Sequence, residues 1–154
     1  MWLVENQEVR EIGGKKLKVI LVGHAHTAKA MKEAVEMIFG EVPDFYPVEF
    51  LPEEGLEDLI LKMKAVTKSF LPDDTLVIAD LFSGTPYNAA ATLALKGHVK
   101  DVIAGMSLPI CLEVASQMNM LSIDELTKYI ENNSQSYTKV LSVVSKEQAS
   151  KEDF

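Results

Sequence analysis

Two of the chain's three histidines, His24 and His26, stand two residues apart in the stretch KVILVGHAHTAKAM. An imidazole set where a buried strand empties into a helix can act as a nucleophile, a base or a metal ligand. Nucleophilic work needs one ring nitrogen free and a carboxylate on the other, which fixes the tautomer and raises the basicity of the ring. Two later stretches have the same strand-to-loop character. One opens with Asp80 and continues through Leu81, Phe82, Ser83, Gly84 and Thr85; the other runs Gly105, Met106, Ser107, Leu108, Pro109. Asp80 is the natural carboxylate partner for His24. Helix N-termini supply free N–H groups and a positive end, which together bind phosphate. Helices beginning near Thr27 and Thr85 would both point at the site, and the Thr85 hydroxyl suits either a phosphate contact or a helix cap.

Other chemistries fit less well. GHAHTAKA lacks the glycines of a dinucleotide fingerprint and the lysine of a P-loop, so the site suits a phosphoryl group without a nucleotide. Two histidines and an aspartate can ligate zinc, a weaker alternative here, and no cofactor or metal is expected. No GxSxG elbow supports a serine hydrolase. A lone strand-end histidine is more often a solvated loop residue than a nucleophile, so His24 draws its weight from Asp80 and Thr85. His98, in LKGHVKD, reads as a turn residue. Phe82 and Met106 suit either the core or a docking rim.

The elements that must position these residues alternate strand and helix. LKVILV (17–22) and DDTLVIAD (73–80) are continuous apolar runs, as in strands covered on both faces. DFYPVEFL is a poorer strand that suits a sheet edge, because Pro47 lacks a ladder donor. VKDVIAG gives a fourth strand. Met31, Ala34, Val35 and Ile38 mark one helix, stopped at Gly40, and Leu56, Leu59, Ile60, Met63 and Val66 mark a second. Thr85 reads as an N-cap with Pro86 at the first helical position. LPICLEVASQM is a short helix, and SIDELTKYIENN opens with a capping box of Ser122 and Glu125. SYTKVLSVV alternates polar and apolar, the pattern of a last, exposed strand, and SKEQASKEDF reads as a charged, frayed tail. The expected fold is α/β: a doubly wound, mainly parallel sheet with helices on both faces and an antiparallel last strand. In such sheets ligands bind beyond the C-terminal ends of the strands.

The 154 residues suit one domain, expected over 17–145, after an extension at 1–16 with a possible hairpin about Gly13-Gly14 and before a tail at 146–154. A net charge of -8 argues against nucleic acid and suits a basic protein partner, or simple solubility. One cysteine, Cys111, precludes an intramolecular disulfide; as a buried inert thiol it fits a reducing cytoplasm. No apolar run reaches the roughly 18 residues that span a bilayer, and no signal peptide is evident.

Four stretches carry a family resemblance. ILVGHAHTAKAMKEAVEMIFG, VEFLPEEGLEDLI, DLFSGTPYNAA and VIAGMSLPICLE occur in order between 18 and 143. They resemble the IIA domain of the mannose class (mannose/fructose/sorbose) of the bacterial phosphoenolpyruvate-dependent sugar phosphotransferase system, whose segments read DLFGGSPFNAA and VIAGVNLPMLLE. The resemblance implies that His24 is phosphorylated on Nε2, with Nδ1–H directed to Asp80, and that Thr85 hydrogen-bonds the phosphate. His26 matches a second histidine present in many members, which is not their nucleophile. Among the departures from the pattern, Ala25 and Ser83 replace glycines, Ser107 replaces an asparagine and Tyr87 a phenylalanine. If position 25 requires a positive φ, alanine there is costly. The secondary candidates are His26, Ala25, Phe82, Ser83, Gly84, Met106 and Ser107.

The resemblance further implies that phosphoryl arrives from phospho-HPr and leaves to a IIB domain, so that the protein meets the membrane only indirectly, through the transporter. It also implies a homodimer in which the last strand pairs with the partner's sheet. Transfer between histidines needs little beyond positioning and charge stabilisation, so an exposed nucleophile ringed by apolar side chains is expected. Two rival readings are a regulatory phosphorylation-sensing domain and the phosphodonor subunit of dihydroxyacetone kinase. The sugar is not legible.

Overall fold

The computed structural model describes residues 16–152. Four parallel strands, β1 (Lys18–His24), β2 (Phe45–Phe50), β3 (Thr75–Ala79) and β4 (Asp101–Ala104), lie in the order β2-β1-β3-β4. They alternate with α1 (Thr27–Phe39), α2 (Leu56–Thr67), α3 (Thr85–Leu95), α4 (Leu108–Gln117), α5 (Ile123–Asn132) and α6 (Leu141–Glu152). Because β1 and β3 are both interior strands, their side chains are buried on both faces, which explains their unbroken apolar runs. β2 lies at an edge, where Pro47 interrupts no interior ladder.

Pleating divides the core into two layers. Val19, Leu21, Phe45, Leu76 and Ile78 pack with residues of α1, α4 and α5. Ile20, Val22, Val48, Val77 and Ala79 pack with residues of α2 and α3 on the other face. Helices therefore cover both faces. The chain winds from β1 out to β2 and then returns across β1 to β3, so the strand order reverses between β1 and β3. Ligands collect in the crevice at such a switch point.

Helix ends follow local chemistry. Gly40 stops α1 at φ 108, a conformation that costs other residues a steric clash. Ser122 caps α5 by accepting the Glu125 N–H at 3.2 Å. Thr85 proves to be the first residue of α3 rather than its cap; Gly84 takes that place, and Pro86 sits one position further in than expected. Ile38 is exposed rather than packed.

The C-terminus departs most from expectation. SYTKVLSVV (136–144) forms no strand: Ser134–Tyr137 is a 3₁₀ turn and Leu141–Glu152 is α6. All strand pairings among the described residues are parallel. Alternation alone cannot make a strand without a sheet edge to receive it, and the following SKEQASKE favours helix. The expected frayed tail is thus helical as far as Glu152. The suggested hairpin about Gly13-Gly14 and the bulk of the extension lie outside the described residues.

Candidate functional site

β1 ends at His24 and β3 hands over to Asp80, so the switch point sets these residues side by side although they are 56 apart in sequence. Asp80 Oδ2 stands 2.8 Å from His24 Nδ1 and also accepts the His24 backbone N–H at 2.8 Å. A carboxylate can only accept, so Nδ1 carries the proton and Nε2 keeps its lone pair. The two bonds to one oxygen fix both the backbone and the ring. Asp80 is sheltered at 15% side-chain exposure, while the imidazole is 49% exposed. The other oxygen, Oδ1, is buried and has no hydrogen-bond partner among the described residues.

Three contacts complete the ring's seat. Phe50, at the end of β2, meets it edge-on with centroids 5.4 Å apart and planes at 77°. Gly84 lies beneath: a Cβ there would sit 3.5 Å from His24 Cε1, ordinary van der Waals contact. Gly23 is tighter. A Cβ there would stand 3.1 Å from Asp80 Cβ, Cγ and Oδ2, so a larger residue would push the carboxylate away from the ring. Glu49 and Phe50 were not read as site residues from the sequence, and Gly23 was read only as part of the first loop. The first two lie in the weak strand DFYPVEFL and the stretch VEFLPEEGLEDLI, and only the pairing of that strand with β1 brings their side chains to the site.

Ala25 and Ser83, which stand where the family pattern has glycine, have φ 50 and φ 63; they are the only non-glycine residues with positive φ among those described. Each costs an L-residue about 1 kcal/mol or more. The first loop is held in place by Ala25 N–H to Phe50 O at 2.8 Å and by Thr27 Oγ1 donating to His24 O at 2.7 Å. Ala25→Gly should therefore raise the unfolding free energy by about 1 kcal/mol and the melting midpoint by about 3 °C, measured by urea titration and calorimetry. An unchanged or lower stability would show that the left-handed turn stores no strain.

The remaining candidates separate. Thr85, at the N-terminus of α3, uses its hydroxyl in no hydrogen bond among the described residues, and with Gly84 against His24 this helix end lies at the ring. Phe82 is 68% exposed and packs on Tyr87; with exposed Leu81 and Leu51 it gives the loops around His24 an apolar rim. Met106 instead packs against the core beneath α1 and α4. Ser107 caps α4, accepting the Ile110 N–H at 3.3 Å. His26 turns to a different carboxylate, bonding through Nδ1 to Glu49, so the two histidines do not share a partner. Cys111 is buried, and desolvation pushes its thiol pKa up to about 12, which makes it unreactive at neutral pH.

A parallel sheet carries an imidazole–carboxylate pair at its switch point, with a helix N-terminus at the ring. Residues 18–131 match the family model described as the "PTS system fructose IIA component". The chain belongs to the IIA components of the mannose class of sugar phosphotransferase systems. It is 49% identical to the sorbose-specific EIIA component of Lacticaseibacillus casei over 138 residues, which cover 90% of this chain and 100% of that one. It is 37% identical to the fructose-specific EIIA component of Bacillus subtilis over 82% of this chain and 87% of that one. The mannose/sorbose-specific IIA subunit of Enterococcus faecalis superposes with a TM-score of 0.75 at 32% identity, covering 82% of this chain and 95% of that one. Among the described residues no helix is long and apolar enough to cross a membrane.

Proposed function

We propose that the protein is a cytoplasmic phosphocarrier that accepts a phosphoryl group from phospho-HPr on His24 and passes it to a IIB domain for sugar uptake. The observation that carries this reading is the pair of hydrogen bonds that His24 donates to Asp80 Oδ2, from its backbone N–H and from Nδ1, which leaves Nε2 as the free nitrogen of a half-exposed ring. The Nε2 lone pair attacks phosphorus, and the N–P bond to the donor imidazole breaks with its electron pair returning to that ring. The proton stays on Nδ1, which continues to donate to Asp80, and the carboxylate charge stabilises the cationic imidazole as it forms. Thr85 and the N-terminal N–H groups of α3 take the phosphoryl oxygens. The reverse sequence delivers the group to IIB. These steps require no cofactor or metal, and contact with the membrane is through the transporter alone.

The rim of Leu51, Leu81 and Phe82 supports docking of proteins rather than enclosure of a small substrate. Nucleic acid is disfavoured by the net charge of -8. Incubation with phosphoenolpyruvate, enzyme I and HPr should load a single acid-labile phosphate, which a IIB domain then drains. Loading without drainage would favour a regulatory domain, and loading by the dihydroxyacetone-kinase system in preference to HPr would favour that system's phosphodonor subunit.

A homodimer is part of the proposal. α6 buries no residue, and 12-residue helices are marginal alone in water. Its Leu141 and Val143 are exposed, and nearby in sequence Tyr137 lines a groove of about 420 Å³ with Ile38, Phe39, Pro109 and Leu112. A monomer in sedimentation at low micromolar concentration would contradict it.

A further inference from the structure

His26 repeats the construction of His24 with different parts. Its Nδ1 faces a carboxylate of the neighbouring strand, Glu49, so its Nε2 is the nitrogen turned outward, and the side chain is 79% exposed. Glu49 is itself braced. Lys62 donates to the Glu49 carbonyl at 3.0 Å and to Glu54 at 2.6 Å, and Glu54 accepts the Leu51 N–H at 2.8 Å. Those bonds hold the Glu54 carboxyl below its usual pKa, so the brace stands at neutral pH and loosens as pH falls.

The fold does not require this imidazole. His26 occupies the N-cap of α1 but makes no side-chain cap bond there. The turn is already held by the Ala25 and Thr27 hydrogen bonds. An exposed ion pair contributes at most about 1 kcal/mol and costs side-chain freedom. What the pairing does is orient an exposed ring beside the reactive one. Val48 and Phe50 pack on the α2 and α3 face, so the pleat turns Glu49, and with it His26, toward the α1 face.

We infer that the Glu49-held His26 is a docking contact for the protein phosphodonor, engaging the donor's surface next to its phosphohistidine rather than the phosphoryl group itself. This rests on the phosphocarrier reading. His26→Ala and Glu49→Ala should each raise the KM for phospho-HPr about tenfold with kcat little changed, and the double variant should be no worse than either single one. His26→Gln, which can still bond Glu49 but has no outward ring nitrogen, should show the same loss. Transfer from phosphoramidate, a small donor with no surface to dock, should fall at least fivefold less than transfer from phospho-HPr.

Equal loss with both donors, recovery in His26→Gln, or a fall in kcat instead of a rise in KM would mean that His26 merely supports the loop, and would overturn the inference. Unchanged kinetics in the alanine variants would overturn it too. A wild-type chain that accepts phosphoryl from neither donor overturns the phosphocarrier reading and this inference with it.

Discussion

His24→Ala should lose phosphoryl uptake from phospho-HPr by at least about a thousandfold, because the step has no other nucleophile in the same seat. The loss should come without unfolding. The ring is half exposed and belongs to neither core layer, so its removal leaves no cavity in the core. The Asp80 carboxylate would still accept the backbone N–H of position 24. Far-ultraviolet circular dichroism and melting should therefore match the parent closely while radiolabel is absent. If the variant is labelled as well as the parent, the nucleophile lies elsewhere, and His26 becomes the first place to look.

Asp80→Asn should lower kcat/KM for the same transfer about a hundredfold. An amide of the same shape can still seat the ring through its oxygen, but it brings no charge to the imidazole as its nitrogen bonds phosphorus. It can also present its NH₂ to Nδ1 and so favour the wrong tautomer. The fall should appear mainly in kcat, because Asp80 is sheltered behind the ring and meets no docking partner. A variant that transfers at the parent rate would mean that the carboxylate is structural, serving only the backbone N–H of His24.

Much of the fold was legible because its interior strands have no polar face to confuse the pattern. LKVILV and DDTLVIAD read as strands from composition alone, although the second is a strand only over Thr75–Ala79 and its Asp73 and Asp74 lie in a 3₁₀ turn; their following helices read from spacing and stops such as Gly40. The pairing of His24 with Asp80 was legible for a topological reason: residues just past the ends of parallel strands share one edge. Glu49 and Phe50 were not, because their contribution depends on which strand lies beside β1, and register is a property of pairing rather than of local sequence. Ala25 was flagged as a departure from a glycine, yet only the backbone angles show that it and Ser83 both adopt the left-handed turn. The C-terminal strand failed for a different reason. Nine alternating residues satisfy the β pattern, but no sheet edge of this chain receives them, and the segment winds into α6.

In the proposed function one nitrogen of one histidine carries the phosphoryl group. Nuclear magnetic resonance of the ¹⁵N-histidine-labelled protein, recorded during phosphorylation by phosphoenolpyruvate, enzyme I and HPr, reads that nitrogen directly. A single N–P coupling is expected at His24 Nε2, with Nδ1 still protonated and hydrogen-bonded to Asp80. Coupling at Nδ1 of His24, or at either nitrogen of His26, would contradict it.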